Sequence, residues 1–212
     1  VPSPTVYGGN AVGVPGLLAG LDEIRHRYGT WDWPLLTEPA IELTQEGFVA
    51  DDHYVQACQS TLAAYEKWPQ LKQQCARLYQ TLLNNGTPPK VGDTIRRPEL
   101  EEALRLVRER GPAALYGGEI GSAIVHAVHA AGGSMTEADL ANYEVCERAP
   151  LRVPYRAYEI VGMPPPSSGG ICIAETLNIL NVCTERSDLG PRSGPHTLVE
   201  AMKHAFADRA RW

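Results

Sequence analysis

Three prolines followed by two serines and two glycines constrain this 212-residue chain more than any other stretch. The prolines at 164–166 fix φ and donate no backbone N–H, so the segment is extended and cannot lie inside a β-sheet. Either Ser167 or Ser168 can cap a following helix, and Gly169 and Gly170 allow another backbone or an anion to approach closely. The stretch therefore predicts a connection from a strand into a helix.

Apolar residues recur at helical spacing directly after this connection, at Ile171, Ala174, Leu177 and Leu180. The spacing predicts a helix with one buried stripe. Unpaired N–H groups at the start of such a helix favour a carboxylate or a developing oxyanion. The alternative is a tight connection with no chemical role, because glycine-opened turns are common between elements.

Composition limits the classes of protein to which the chain can belong. It is 43% hydrophobic and 21% charged, which suits one soluble domain or a subunit-sized piece of a larger one. The net charge is −6 without a basic cluster, which argues against nucleic-acid binding. No apolar run approaches the ~20 residues that a membrane span needs. Five dispersed cysteines without a Cys-x-x-Cys pair argue against a zinc ribbon and against a disulfide scaffold.

Hydrophobic periodicity divides the chain into three stretches. Residues 14–143 carry apolar residues three or four apart and predict a series of helices. Residues 144–163 alternate and predict two or three short strands, with Pro150 and Pro154 marking edges or bends. Residues 164–212 predict the connection and two further helices. We therefore expect an α+β fold, mostly helical, with residues 1–212 forming a single segment.

Two local signals refine the helical stretch. Thr136 and Asp139 are three residues apart and predict a capping box at a helix start. The sequence Gly-Val-Pro-Gly at 13–16 precedes a predicted helix with Gly29 as its C-terminal stop. The apolar face of that helix is formed by Leu17, Leu18, Leu21, Ile24 and Tyr28.

No complete catalytic constellation is present in the residues themselves. Ser167 and Ser168 stand between a predicted strand and a helix, but Gly-x-Ser-x-Gly and Ser-x-x-Lys are both absent. His126 and His129 share a predicted helix face, yet two imidazoles leave most coordination positions of a metal unfilled, and a solvated pair is the alternative. The glycine patterns match neither a dinucleotide fingerprint nor a P-loop. The sequence thus predicts no catalytic residue, no metal site and no cofactor in this chain.

Several short motifs follow one another along the chain, each weak by itself. They are Gly-Val-Pro-Gly at 13–16, Glu-Gly-Phe at 46–48, Gly-Gly at 132–133, Met-Pro-Pro-Pro-Ser-Ser-Gly-Gly at 163–170, Leu-Asn-Ile-Leu at 177–180 and Ala-Asp-Arg at 207–209. In this order they are specific, and the chain resembles the γ-glutamyltransferase (γ-glutamyltranspeptidase) family, as an internal part of the large subunit.

The resemblance implies a fold and a chemistry. Family members are N-terminal-nucleophile hydrolases with a four-layer αββα sandwich, made as a precursor that cuts itself into two subunits. The nucleophile is a threonine at the N-terminus of the small subunit, in a Thr-Thr-His-like context that this chain does not contain. The resemblance therefore implies that the nucleophile lies outside residues 1–212 and that this chain alone is inactive.

The same resemblance implies partners and a location. The partners are a small subunit or C-terminal segment carrying the threonine, and a γ-glutamyl small molecule such as glutathione. The loop residues Ser167, Ser168, Gly169 and Gly170 are expected near the substrate. Family members are commonly exported, which favours a periplasmic or extracellular location.

Two other functions stay open. One keeps the family and changes the substrate, as in a cephalosporin acylase-like or polyglutamate-cleaving relative. The other is a helical interaction module without catalysis. An exposed apolar face, where a partner docks, favours the subunit over the independent module.

Overall fold

The computed structural model describes residues 8–184 and 194–211. Its contacts divide the chain into two compact units, Val1–Val145 and Cys146–Trp212, here called the helical unit and the hairpin unit. In the described residues the first is formed almost entirely by helices, and the second combines a β-hairpin with two long helices. The mostly helical α+β class that the sequence predicts is confirmed.

Nine α-helices form the described part of the helical unit. They are α1 (Leu17–Tyr28), α2 (Trp33–Glu46), α3 (Asp52–Lys67), α4 (Leu71–Gln74), α5 (Ala76–Thr81), α6 (Pro98–Arg110), α7 (Ala113–Tyr116), α8 (Glu119–Ala130) and α9 (Glu137–Ala141), with short 3-10 helices at Gly9–Ala11 and Asn84–Gly86.

A pair of very short strands interrupts this helical series. Strands β1 (Phe48–Val49) and β2 (Thr94–Ile95) pair antiparallel, which the sequence did not predict within residues 14–143. Gly47 ends α2 at φ 89°, and a Cβ there would lie 2.7 Å from Thr94 Cγ2. Periodicity misses these strands because two residues are too few to show an alternation.

Side-chain caps fix several helix starts. The Asp51 carboxylate accepts the Tyr54 N–H at 2.7 Å and begins α3. At α9 the Asp139 N–H donates to Thr136 Oγ1 at 3.2 Å while the Thr136 N–H donates to Asp139 Oδ2 at 2.7 Å. The predicted capping box is therefore confirmed. Hydrogen bonds from the backbone N–H and then the hydroxyl of Thr136 hold the pKa of Asp139 below its ordinary value.

The Gly-Val-Pro-Gly motif is held by a tyrosine pair. The Tyr116 hydroxyl donates to Pro15 O at 2.6 Å and accepts the Ala19 N–H at 3.2 Å, which satisfies one donor at the start of α1. Tyr143 stacks on Tyr116 with ring centroids 5.7 Å apart, and a Cβ on Gly16 would lie 2.0 Å from the Tyr143 hydroxyl. A side chain at position 16 would therefore have to displace the Tyr143 ring from its present position.

Two buried clusters stabilise the helical unit. The first, called the α7–α9 core, consists of Leu115, Val125, Val128, Met135 and Leu140. The second consists of Cys58, Tyr65, Leu71 and Leu83. Burial of this apolar area is the main favourable term for folding, at about 25 cal/mol per Å².

The hairpin unit is built from β3 (Leu151–Tyr155), β4 (Tyr158–Gly162), α10 (Ser168–Thr184) and α11 (Gly194–Arg209). The strands pair antiparallel, with Val153 opposite Ile160. They begin later than residue 144, where the sequence predicts strand, because residues 144–150 find no pairing partner among the described residues and Pro150 has no N–H to donate.

Candidate site at the start of helix α10

Ser167 fixes the start of α10. Its Oγ accepts the Gly169 N–H at 3.4 Å, and its own N–H donates to Pro164 O at 3.2 Å. The sequence left Ser167 and Ser168 open as the capping residue. The geometry selects Ser167 and leaves the Ser168 hydroxyl available to a ligand.

The two glycines of the loop have different surroundings. A Cβ on the buried Gly170 would lie 2.1 Å from Met163 O, so the end of β4 passes directly over this position. Gly169 is exposed, and a Cβ there would make only an ordinary 3.6 Å contact with Ser167 Oγ. Gly170 is therefore required for packing, whereas Gly169 keeps the start of the helix open.

A groove of about 330 Å³ begins at this loop and runs between α10 and α11. It is here called the α10–α11 groove. Its lining residues are Ser168, Gly169, Cys172, Ile173, Thr176, Leu177, Leu198, Met202, Phe206 and Arg209.

Most polar atoms of the groove are occupied by the helices themselves. Thr176 Oγ1 donates to Cys172 O at 2.7 Å, and Cys172 Sγ contacts Ala205 O on α11 at 3.8 Å. The Arg209 guanidinium lies 5.9 Å from the centroid of the Phe206 ring. The groove can thus accept an apolar group, with the Ser168 hydroxyl and the Arg209 guanidinium as its polar functions.

Sequence reasoning missed the α11 wall of this groove. Leu198, Met202 and Phe206 are four residues apart, and that spacing already places them on one face of a helix. The pattern does not reveal that this face lies beside α10, since the two helices meet only through the tertiary fold.

Neither serine of the loop has a base beside it. Within the described residues, no histidine or lysine side chain donates to or accepts from the Oγ of Ser167 or Ser168. A serine nucleophile needs such a base within about 3 Å. Nothing among the described residues therefore activates either hydroxyl as a nucleophile.

One histidine of the pair on α8 makes a structural contact, and the other is exposed. A ring nitrogen of His129 lies 2.7 Å from Met135 O, which ties α8 to the segment before α9, while His126 is exposed. In residues 8–184 and 194–211 there is no group of three or more His, Cys, Asp or Glu side chains that can hold a metal ion. All five cysteines are free thiols.

No helix in the described ranges combines the length and the apolar character that crossing a bilayer requires.

Comparison with known proteins shows the family to which the chain belongs. The family model described as gamma-glutamyltranspeptidase matches residues 2–212. The chain belongs to the gamma-glutamyltranspeptidase family. The resemblance that the ordered motifs indicated is thereby confirmed.

Three relatives show how far this likeness extends. The glutathione hydrolase proenzyme of Pseudomonas sp. (strain A14) is 37% identical over 201 residues, covering 94% of this chain and 34% of that protein. The acylase ACY 1 proenzyme of Pseudomonas sp. (strain V22) is 39% identical over 210 residues, covering 97% of this chain and 36% of that protein. The structure of Helicobacter pylori gamma-glutamyltranspeptidase matches with a TM-score of 0.83 and 30% identity, covering 99% of this chain and 59% of that one.

The chain therefore spans about a third of the length of the curated relatives that it matches. Both of those relatives are named proenzymes.

Proposed function

We propose that this chain is an internal part of the large subunit of a γ-glutamyl transferase or hydrolase that acts on glutathione or another γ-glutamyl compound. The observation that carries the proposal is the match of one family across residues 2–212. The 37% identity to a glutathione hydrolase proenzyme supports the substrate class.

In this proposal the nucleophile comes from polypeptide outside residues 1–212. A threonine hydroxyl, with its own α-amine as base, attacks the γ-glutamyl amide carbonyl and expels the amine, which leaves an acyl-enzyme. Backbone N–H groups stabilise the tetrahedral oxyanion. Water or an acceptor amine then resolves the ester.

The contribution of this chain is a wall near the substrate. Ser167 holds the start of α10 by accepting the Gly169 N–H, Gly170 brings β4 against it, and Gly169 adds no side chain to the loop. The Ser168 hydroxyl and the remaining N–H groups of the first turn suit a carboxylate of the substrate. The placement of Ser167, Ser168, Gly169 and Gly170 beside the substrate stays a prediction.

An exposed apolar face on α1 supports a subunit over an independent module. The side chains that the sequence expects in a core are largely exposed, with Leu17 at 76%, Ile24 at 58% and Tyr28 at 78%. An independent soluble module rarely exposes several large apolar side chains on one helix face. We infer that polypeptide outside this chain covers the face.

Activity measurements test the proposal. We expect no product release from a γ-glutamyl anilide by the isolated chain, and release when the chain is produced together with its threonine-led partner. The matched control is the partner with that threonine replaced by alanine, which removes the nucleophile. Release by the isolated chain, or none by the combined enzyme, would contradict the proposal.

A second function in the same family is supported by the acylase ACY 1 proenzyme, at 39% identity. In that case the combined enzyme cleaves a glutaryl amide faster than it cleaves glutathione. Comparing kcat/KM for the two substrates separates the functions.

A further inference from the structure

The dipeptide Asn85–Gly86 lies in the short 3-10 helix that follows α5 in the helical unit. It is the one place in the sequence where glycine follows asparagine. The backbone nitrogen of the next residue can attack an asparagine amide, and glycine has no side chain to hinder that attack. Asn85 is exposed, so water reaches it. The turn therefore contains an asparagine that is chemically prone to deamidation.

The shape of the turn favours these two residue types. Asn85 has φ 55° and ψ 33°, and Gly86 has φ 99°. Asparagine and glycine adopt positive φ more readily than other residues do. A Cβ at position 86 would lie 2.7 Å from the Tyr79 hydroxyl oxygen, so glycine also lets this hydroxyl come close. The labile dipeptide is thus a consequence of the backbone conformation.

The peptide group between Asn85 and Gly86 is hydrogen-bonded at both ends. The Tyr79 hydroxyl donates to Asn85 O at 3.0 Å, and the Gly86 N–H donates to Leu83 O at 2.8 Å. Attack requires the loss of the Gly86 amide proton, and the bond to Leu83 holds that proton. The two bonds together fix the orientation of the peptide group.

The dihedral angle ψ of Asn85 keeps the reacting atoms apart. Ring closure joins the Gly86 nitrogen to Asn85 Cγ, which requires this nitrogen on the same side of the Cα–C bond as Cβ. At ψ 33° the nitrogen is directed away from Cβ. Intramolecular attack is fast only when the reacting atoms are close and aligned. The peptide group must therefore turn over before it reacts, and turning breaks both hydrogen bonds.

The two partners of the peptide group are anchored in the second buried cluster of the helical unit. Leu83 belongs to that cluster and is 1% exposed. Tyr79 packs against the same cluster, with its ring centroid 5.8 Å from that of Tyr65. Opening of the turn consequently disturbs packed side chains as well as hydrogen bonds.

We propose that Asn85 is a deamidation site that the Tyr79 hydroxyl keeps closed in the folded chain. When the turn opens, the Gly86 amide proton passes to a base in solvent and the nitrogen forms a bond to Asn85 Cγ. The Cγ–Nδ2 bond breaks, and the amide nitrogen leaves as ammonia after taking protons from solvent. Water then opens the cyclic imide to aspartate or isoaspartate, which adds a negative charge. Isoaspartate also lengthens the backbone by a methylene, so the turn no longer fits between Tyr79 and Leu83.

Peptide mapping by mass spectrometry, with an isoaspartate-specific methyltransferase assay, measures this reaction in the 212-residue chain. We expect Asn85 to deamidate at least ~10-fold more slowly in the folded wild type than in guanidinium chloride, because the turn must open first. Asn178, which isoleucine follows, is the internal control and stays amidated in both samples. Equal rates at Asn85 in the folded and unfolded chain overturn the proposal.

Two matched substitutions test the role of the Tyr79 hydroxyl. Tyr79→Phe removes the hydroxyl and keeps the ring in the cluster. We expect deamidation of the folded variant at Asn85 to be about fivefold faster, the factor that one net hydrogen bond is worth. Tyr54→Phe removes a hydroxyl from another ring at the same cluster, where the hydroxyl contacts Cys58 rather than the turn. We expect this control to change the rate by less than about twofold.

The remaining outcomes contradict the assignment of Tyr79. An unchanged rate at Asn85 in folded Tyr79→Phe overturns it. Equal acceleration by Tyr54→Phe also overturns it, because loosening of the cluster would then explain both variants. Circular dichroism shows whether the variants fold, and if Tyr79→Phe does not fold, the ratio of the folded and unfolded wild-type rates decides.

Discussion

The α7–α9 core and the α10–α11 groove place similar side chains in opposite environments. In the core, Leu140 is 2% and Val128 is 5% exposed. In the groove, Phe206 is 51% and Leu198 is 42% exposed. Both sets come from helices with apolar residues at helical spacing, so an apolar stripe by itself does not guarantee burial.

The difference lies in which side chains occupy the contact between helices. The apolar residues of α10 and α11 that are buried are small: Ala174 is 9%, Ala201 1% and Ala205 1% exposed, and Cys172 Sγ lies 3.8 Å from Ala205 O. Alanines let helices approach closely, and the larger neighbours then lie beside the contact rather than in it. In the α7–α9 core, large side chains from several helices fill the centre themselves. One region is complete within the described chain, whereas the other offers an open surface.

The largest expected effect comes from deleting side-chain volume in each region. Leu140→Ala should lower the free energy of unfolding by about 3 kcal/mol, because a cavity remains in a closed core. Phe206→Ala should lower it by less than about 1 kcal/mol in the isolated chain, because the ring is already half exposed. Urea unfolding measures both values. A cost for Phe206→Ala as large as that for Leu140→Ala would mean that the groove is closed in solution.

An intermediate effect is expected at the two loop glycines. Gly170→Ala should cost about 1–3 kcal/mol, because its Cβ meets Met163 O and the end of β4 must shift. Gly169→Ala should be neutral or stabilise by up to about 1 kcal/mol, since alanine is the better helix former and meets no obstacle. Thermal unfolding of the two variants compares them. Equal losses would show that the groove entrance is more tightly packed than the structure indicates.

The smallest effect concerns the cap of α9, which positions Leu140 in the closed core. Because the folded-state pKa of Asp139 is lowered, chiefly by the Thr136 backbone N–H, its contribution is fully present above the ordinary pKa of 3.8. It is lost as the pH falls through the lower folded-state pKa. The unfolding free energy of wild type minus that of Asp139→Asn, followed from pH 6 to pH 2, should therefore decline below about pH 4. A difference that does not vary with pH would exclude the carboxylate as the source.

Local chemistry made part of the candidate site predictable. The prolines and glycines at 164–170 act through φ, missing donors and the absence of a Cβ, and the structure contains the expected strand-to-helix connection there. The extended conformation predicted for residues 164–166 is wrong, because the Ser167 N–H donates to Pro164 O and closes a turn. The capping box of Thr136 and Asp139 was predictable for the same reason. That residues 1–212 act as one segment of a large subunit stays a prediction.

Sequence alone determined the resemblance to the family, the mostly helical α+β class and the cap of α9. Tertiary structure decided which apolar stripes are covered: the predicted face of α1 is exposed, and Leu198, Met202 and Phe206 line a groove. It also decided the pairing of β1 with β2. The physical reason is that caps, turns and proline act within a few residues, whereas burial requires a surface that distant parts of the polypeptide supply.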